Sequence, residues 1–137
     1  MTAQEAYNEL AYYTLSKQDS YFIHQHIVDA YTAQTANEHT KPVSIIFSLA
    51  GLYLFVEKGY TGRQVQLAHI QMAKGDKIFP RINLPGKRGI ITVFDIIAVS
   101  PGNERDAKIG QWCESVWKAF ASQRDTVISV TERLLNK

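Results

Sequence analysis

Apolar residues along this chain recur at the three-and-four spacing of helices in one segment after another. Ala3, Ala6, Tyr7, Leu10, Ala11 and Thr14 fall on one face of a helix over 3–16. Thr2 and Glu5 frame its start as a capping box, each side chain taking the other's free amide. Ile23, Ile27, Ala30, Tyr31 and Gln34 form the stripe of a second helix over about 20–36, with Asp19 at its N-cap. Asn37-Glu38-His39-Thr40 breaks it. Pro42 suits the first turn of a third helix, 42–58, because its missing amide has no helical partner to lose. That segment is apolar nearly all round, the pattern of a helix covered on most sides, and Gly59 supplies a left-handed stop. A second capping box, Thr61 with Gln64, opens a fourth helix over 62–74, with Val65, Ala68, His69 and Met72 on one face and Gly75 beyond its end.

The remainder is less regular. Gly75, Pro80, Pro85, Gly86 and Gly89 mark 75–90 as a long irregular connection, and long loops in small domains often carry function. Ile90 to Val99 is rich in β-branched residues. Thr92 and Asp95 form a third capping-box pattern, so 93–99 reads as either a short helix or a strand. After the turn Ser100-Pro101-Gly102 the pattern is helical to the end, with a break at Ser122-Gln123 allowed. Together these segments predict an all-α fold: a single bundle of about five helices around the apolar 42–58 helix. A length of 137 residues fits one domain, 1–137. A chain of this mass buries roughly two-thirds of its extended surface, enough for one core without covalent staples.

Composition narrows the classes. Hydrophobic residues are 45% and charged residues 20%, which excludes a disordered chain. The single cysteine, Cys113, excludes an internal disulfide framework and a Cys-rich zinc site. The longest apolar run, Val43 to Val56, falls short of the ~20 residues a membrane span needs, and the N-terminus lacks the charged and apolar regions of a signal peptide. A cytoplasmic protein without membrane contact is the expectation. Net charge is only +2, and the basic excess gathers in Arg63, Lys74, Lys77, Arg81, Lys87 and Arg88. With no interleaved aromatics and no recognised motif, nucleic acid is not the expected partner. Gly86-Lys87-Arg88-Gly89 lacks the rest of a phosphate loop and reads as a solvated basic loop.

The chemistry-bearing residues cluster in two places. His24-Gln25-His26 would grip a metal from a strand, but on a helix the two rings are about 200° apart and cannot share one ion. His26 and Asp29 do share a face. A carboxylate beside an imidazole sets its tautomer and raises its basicity, as a general base requires, and the same pair also serves as a plain structural hydrogen bond. His24 reads as a satisfied core or interface histidine, and His39 as solvated. His69 lies on the apolar face of the fourth helix. If helices 2 and 4 are neighbours it approaches His24 or His26, and His26, His69 and Asp29 or Glu57 would then make a metal set that nothing local requires. The second cluster is Glu57-Lys-Gly-Tyr-Thr-Gly-Arg63-Gln64. The helix start there can hold an anion, and Arg63 offers a fork for carboxylate or phosphate, or else pairs with Glu57 or Asp29 to lock the turn. Trp112 and Trp117 point in different directions from one helix, so one belongs to the core and the other covers a pocket or a dimer face.

These stretches carry a resemblance. Phe22-Ile-His-Gln-His26-Ile-Val-Asp-Ala-Tyr31, Lys41-Pro42, Gly51-Leu-Tyr-Leu54 and the Glu57 to Gln64 stretch resemble an uncharacterised bacterial family of small proteins of about this length, described as a domain of unknown function. So do Thr92-Val93-x-Asp95 and Trp112-x-x-x-Val116-Trp117-x-Ala119. The resemblance covers most of the chain and implies one shared design for the His-Gln-His, Glu-Lys-Gly and Thr-Gly-Arg-Gln stretches, with no activity attached. Members of that family often begin with a short Cys-containing segment that this sequence does not show, so no metal role carries over from it.

Three functions are compatible with these residues. The first is a module that binds a small anionic or polar ligand between helices 2, 3 and 4, in a pocket of His26, Asp29, Glu57, Arg63 and His69, with Tyr31 and Gln64 at its edges. The second is an enzyme, metal-dependent or acid–base, with His26 as base or ligand, Asp29 as its orienter, His69 as second ligand or acid and Arg63 as anion clamp. The third is an interaction subunit whose partner covers Trp117 or the 75–90 surface. A twofold homodimer suits a short bundle with surplus aromatics.

Overall fold

The computed structural model describes residues 1–136. Among these the chain is all helical: α1 (Ala3–Ser16), α2 (His24–Thr35), α3 (Pro42–Lys58), α4 (Gly62–Ala73), α5 (Val93–Ile97), α6 (Asn103–Ala119), a 3₁₀ turn (Ala121–Gln123) and α7 (Arg124–Leu135). No helix among them is long and apolar enough to cross a membrane. Seven helices stand where about five are expected, for two local reasons. The 90–99 run coils over Val93–Ile97, with the Asp95 carboxylate accepting the Thr92 amide at 2.8 Å. The final helical stretch breaks at Phe120, which is fully buried and turns the chain into α7.

The capping boxes at Thr2–Glu5 and Thr61–Gln64 both form. Helix α3 runs over Pro42–Lys58 and stops at Gly59, whose φ of 71° is the left-handed conformation a terminating glycine supplies. Every residue from Ser48 to Leu54 is buried, because α3 packs against α2, α4, α6 and α7. Helices α2 and α3 form a tight antiparallel pair. His26 at the start of α2 stacks on Phe55 near the end of α3, and one turn further along Asp29 lies over Gly51. A Cβ at Gly51 would come 1.9 Å from the Asp29 Oδ2, so this approach requires glycine.

The start of α2 differs from its sequence expectation. The helix begins at His24, not near residue 20, because Gln18 and Phe22 adopt left-handed φ values of 51° and 56°. Such a conformation costs a residue with a side chain of order 1–3 kcal/mol and persists only where neighbours enforce it. Here the Arg63 amide donates to the Tyr21 carbonyl at 2.8 Å, the Gln25 amide donates to the Phe22 carbonyl at 3.1 Å, and the Arg63 guanidinium lies 5.0 Å from the Phe22 ring centroid. Gly62 permits this docking, since a Cβ there would sit 1.8 Å from the Phe22 carbonyl oxygen. Asp19 still acts on α2, at arm's length: its Oδ1 accepts the Ile23 amide at 3.4 Å.

Residues 74–92 contain no helix or strand, yet they form a tied strap. Ile82 is buried, Phe79 meets the Phe47 ring edge-on, and Arg133 donates to the Ile78 carbonyl at 2.7 Å. Arg88 corrects the reading of 86–89 as a solvated basic loop. Its guanidinium reaches the carbonyls of Ala36, of Gln34 at 3.2 Å and of Ala33 at 3.4 Å, closing the C-terminus of α2. Arg105, 6% exposed, does the same for α5 through Val99 and Ile97. Cations at helix C-termini satisfy orphan carbonyls and oppose the helix dipole, so part of the chain's basic excess is structural. Arg88→Ala is expected to destabilise the fold by about 2 kcal/mol, the scale of charge-assisted bonds to half-buried carbonyls, with Arg88→Lys recovering only part. Urea unfolding monitored by tryptophan fluorescence measures it.

Candidate functional site

The α1–α2 loop, the first turn of α2 and the α3–α4 corner enclose a cavity of about 440 Å³. Tyr21 and Ile23 come from the loop, Phe55 and Gly59 from the end of α3, Tyr60 to Gly62 from the corner, and Asp106 reaches in from α6. His26 lines it and is itself 5% exposed. The imidazole lies against Phe55 with 3.7 Å between ring centroids and 20° between planes. Its Nδ1 is sealed from solvent without a hydrogen-bond partner. Burial pushes its pKa down to about 4, with the Asp19 carboxylate pulling weakly the other way, so the ring is neutral near pH 7.

Charges around the cavity are unevenly spent. Lys17 and Asp106 pair at 2.9 Å, and the other Asp106 oxygen accepts the Tyr13 hydroxyl at 2.8 Å. Asp19 has no cationic partner within salt-bridge reach among the described residues. Two amides at the start of α4 are taken: Arg63 N–H by the Tyr21 carbonyl and Gln64 N–H by the Thr61 hydroxyl. Among the described residues, the one lysine or arginine of the wall, Lys17, is thus engaged by Asp106.

The expected site residues separate along α3. His26 sits at the level of Phe55, Asp29 at Gly51, and His69 at Phe47, whose carbonyl it meets through Nε2 at 2.7 Å. Phe47 and Phe55 are eight residues apart, about 12 Å along a helix axis. The metal set of His26, His69 and Asp29 is thus not assembled, and among the described residues no group of three His, Cys, Asp or Glu could hold a metal ion. The His26–Asp29 bond is absent as well. Asp29 Oδ1 accepts from Gln25 at 3.1 Å while its Oδ2 is buried and unpartnered. Sharing a helix face did not make the two side chains meet, because each turns to a different residue of α3.

Glu57 does not pair with Arg63. Arg124 of α7 takes it in a two-pronged pair at 2.6 and 2.9 Å, and Trp117 donates to it at 2.7 Å. The Arg124 guanidinium beside it holds the Glu57 pKa down to about 2. Arg63 is exposed and bonds Gln66, and Gln64 is spent in its capping box. Tyr31 stacks on Tyr7 with centroids 4.3 Å apart, away from the cavity. His24 accepts or donates at Nδ1 with the Thr14 hydroxyl, 2.9 Å away, as a satisfied histidine. Trp112 and Trp117 are both buried, so neither offers an outward face: Trp112 donates to Gln34 at 2.9 Å and Trp117 to Glu57.

Sequence reasoning missed Phe55, Tyr21, Tyr60 and Asp19 as neighbours of His26. Periodicity placed Phe55 in an all-round apolar helix, where any face reads alike. Tyr21 falls within the helix expected over about 20–36, and Asp19 reads as its N-cap. The signal that was available is the Tyr60-Thr61-Gly62 corner, where a capping box directly follows a left-handed glycine.

With this geometry in view, the sequence model of DUF5946, a family of unknown function, matches residues 2–121. The chain belongs to DUF5946. The match takes in every residue that lines the cavity, and α7 of this DUF5946 chain lies beyond it. No curated protein and no solved structure matches the chain.

Two titrations test the burial of this DUF5946 site. His26 has its folded pKa depressed, so the unfolded chain binds a proton that the native state refuses. Its contribution is complete above about pH 6.5 and is lost as pH falls toward 4. His24 and His69 are shifted the same way by burial. Ring NMR signals assigned to His26 should stay neutral until near pH 4, and a midpoint above 6 would contradict the packing. Asp29 has the opposite sign. Burial raises its pKa well above the usual carboxyl range, so the native state keeps a proton that the unfolded chain has released. Stability therefore declines with rising pH above about 4, by up to ~1.4 kcal/mol per unit, until the native pKa is passed. Asp29→Asn should flatten that slope in urea-unfolding series across pH.

Proposed function

We propose that this DUF5946 chain is a small-molecule-binding module whose ligand sits in the cavity at His26. One observation carries the reading: a neutral imidazole, stacked on Phe55 and sealed at Nδ1, forms part of the wall of a space of about 440 Å³. Volumes of roughly 300–1,000 Å³, mostly apolar with a few placed polar groups, are those of small-molecule sites. A neutral imidazole offers one donor and one acceptor. With Nδ1 buried, Nε2 is the nitrogen available to a ligand's polar group, and Phe55, Tyr21 and Tyr60 supply apolar and aromatic contact to its body. The strained 17–23 loop supports the reading, since left-handed non-glycine backbone gathers where a binding surface is held in shape.

Acid–base catalysis fits less well. A general base works best with a pKa near the working pH, and His26 lies well below neutrality with no carboxylate bonded to it. The ligand is polar rather than anionic, because among the described residues Lys17, the one lysine or arginine of the wall, is already paired with Asp106 while Asp19 has no cationic partner.

4-Ethylphenol, an uncharged aromatic alcohol small enough for the cavity, is a direct probe. Titrated into labelled protein, it should shift the ring signals of His26 and the methyl signals of Ile23 in a saturable way. Ile23→Trp, which fills the cavity from its loop side, should abolish those shifts with the helical circular dichroism retained. Shifts confined to residues outside the cavity, or none up to the solubility limit, would overturn the assignment.

A further inference from the structure

Resting on that reading, we infer that the cavity selects a cationic ligand, a small organic ammonium with an aromatic or apolar body, through the carboxylate of Asp19. Three charged side chains line the space, and two of them cancel. Lys17 and Asp106 form a 2.9 Å pair, with Asp106 further held by the Tyr13 hydroxyl and Lys17 lying 5.3 Å from the Tyr13 ring centroid. Asp19 is left as the uncompensated charge of the wall. Its one protein bond is the long 3.4 Å contact from the Ile23 amide to Oδ1, which leaves acceptor capacity on both oxygens.

The rest of the lining suits an ammonium. Phe55, Tyr21 and Tyr60 line the space, and aromatic rings attract cations through the ring quadrupole. His26 is uncharged, 5% exposed, and without a partner at Nδ1, so it neither repels a cation nor attracts an anion by charge. Arg63, the cation that would have favoured an anionic ligand, lies over the outer Phe22 ring and bonds Gln66. Asp19 and His26 also belong to a backbone arrangement that holds them in one place. The left-handed Phe22 and its bonds to Arg63 and Gln25 set the loop that carries Asp19 against the helix that carries His26.

Three phenols that differ only in the charge of their side chain test the inference: tyramine (cation), 4-ethylphenol (neutral) and 3-(4-hydroxyphenyl)propionate (anion). Calorimetry and His26 ring shifts should give tyramine an affinity about tenfold above 4-ethylphenol, as one charge pair at a partly desolvated site provides, with the propionate weakest. The tyramine advantage should shrink at high salt. Asp19→Asn keeps the acceptor for the Ile23 amide and removes the charge, so it should bring tyramine and 4-ethylphenol to within about threefold of each other while 4-ethylphenol binding is kept. Equal affinities in the native protein, or an undiminished preference in Asp19→Asn, would overturn the charge selection and leave the cavity reading standing. Failure of all three to perturb His26 would remove the cavity reading together with it.

Discussion

The contact between α2 and α3 decides what the rest of the molecule can do. At Gly51 the two helices come close enough for the Asp29 carboxyl to rest on the α3 backbone, and no residue with a Cβ permits that. The close seam forces two buried polar side chains into an apolar interface, each with an unpartnered atom. Leaving such groups unsatisfied costs about 1–3 kcal/mol apiece, so the surrounding core of Ile27, Ala30, Leu52 and Trp112 must offset them. The same seam turns His26 onto Phe55 and away from Asp29. One geometric fact thus accounts for the lowered pKa of His26 and the raised pKa of Asp29.

Much of the polar chemistry that invites a catalytic reading serves to close helices. Arg88 and Arg105 satisfy carbonyls at the ends of α2 and α5, Arg133 anchors the 74–92 strap, and Arg124 ties α7 to Glu57 and so to α3. A short bundle has many helix ends relative to its volume, and each end exposes backbone groups that need partners. Long basic side chains reach those ends from neighbouring segments. Around the cavity, what remains without a charged partner among the described residues is the Asp19 carboxylate, beside the neutral imidazole of His26.

The division between what could and could not be read from the chain follows from the range of the forces involved. Helices α1, α3 and α4 were legible because their boundaries rest on interactions within a turn: capping boxes, a proline at the first position, a glycine at the last. The start of α2 was not, since Asp19 is an ordinary N-cap by composition and nothing local shows that Phe22 will take a left-handed φ. That conformation is imposed by α4, forty residues later, through the Arg63 amide. The helix-or-strand ambiguity at 90–99 had the same origin: local pattern allowed both, and packing of α5 on α1 and α6 chose the helix.

By itself the sequence determined an all-helical chain, the turns at which most helices begin and end, and the fact that His24 and His26 could not act together, because helical geometry separates them. It also marked His26 as a candidate site residue. The tertiary structure decided which neighbours that histidine has. Register along α3 put Asp29 at Gly51 and His69 at Phe47, eight residues from the Phe55 that His26 stacks on, and the strained loop put Asp19 in the wall that His26 lines. Helix formation is governed by residues within four positions of each other. The meeting of side chains across helices depends on rotation and register, and these are set by how whole faces interlock.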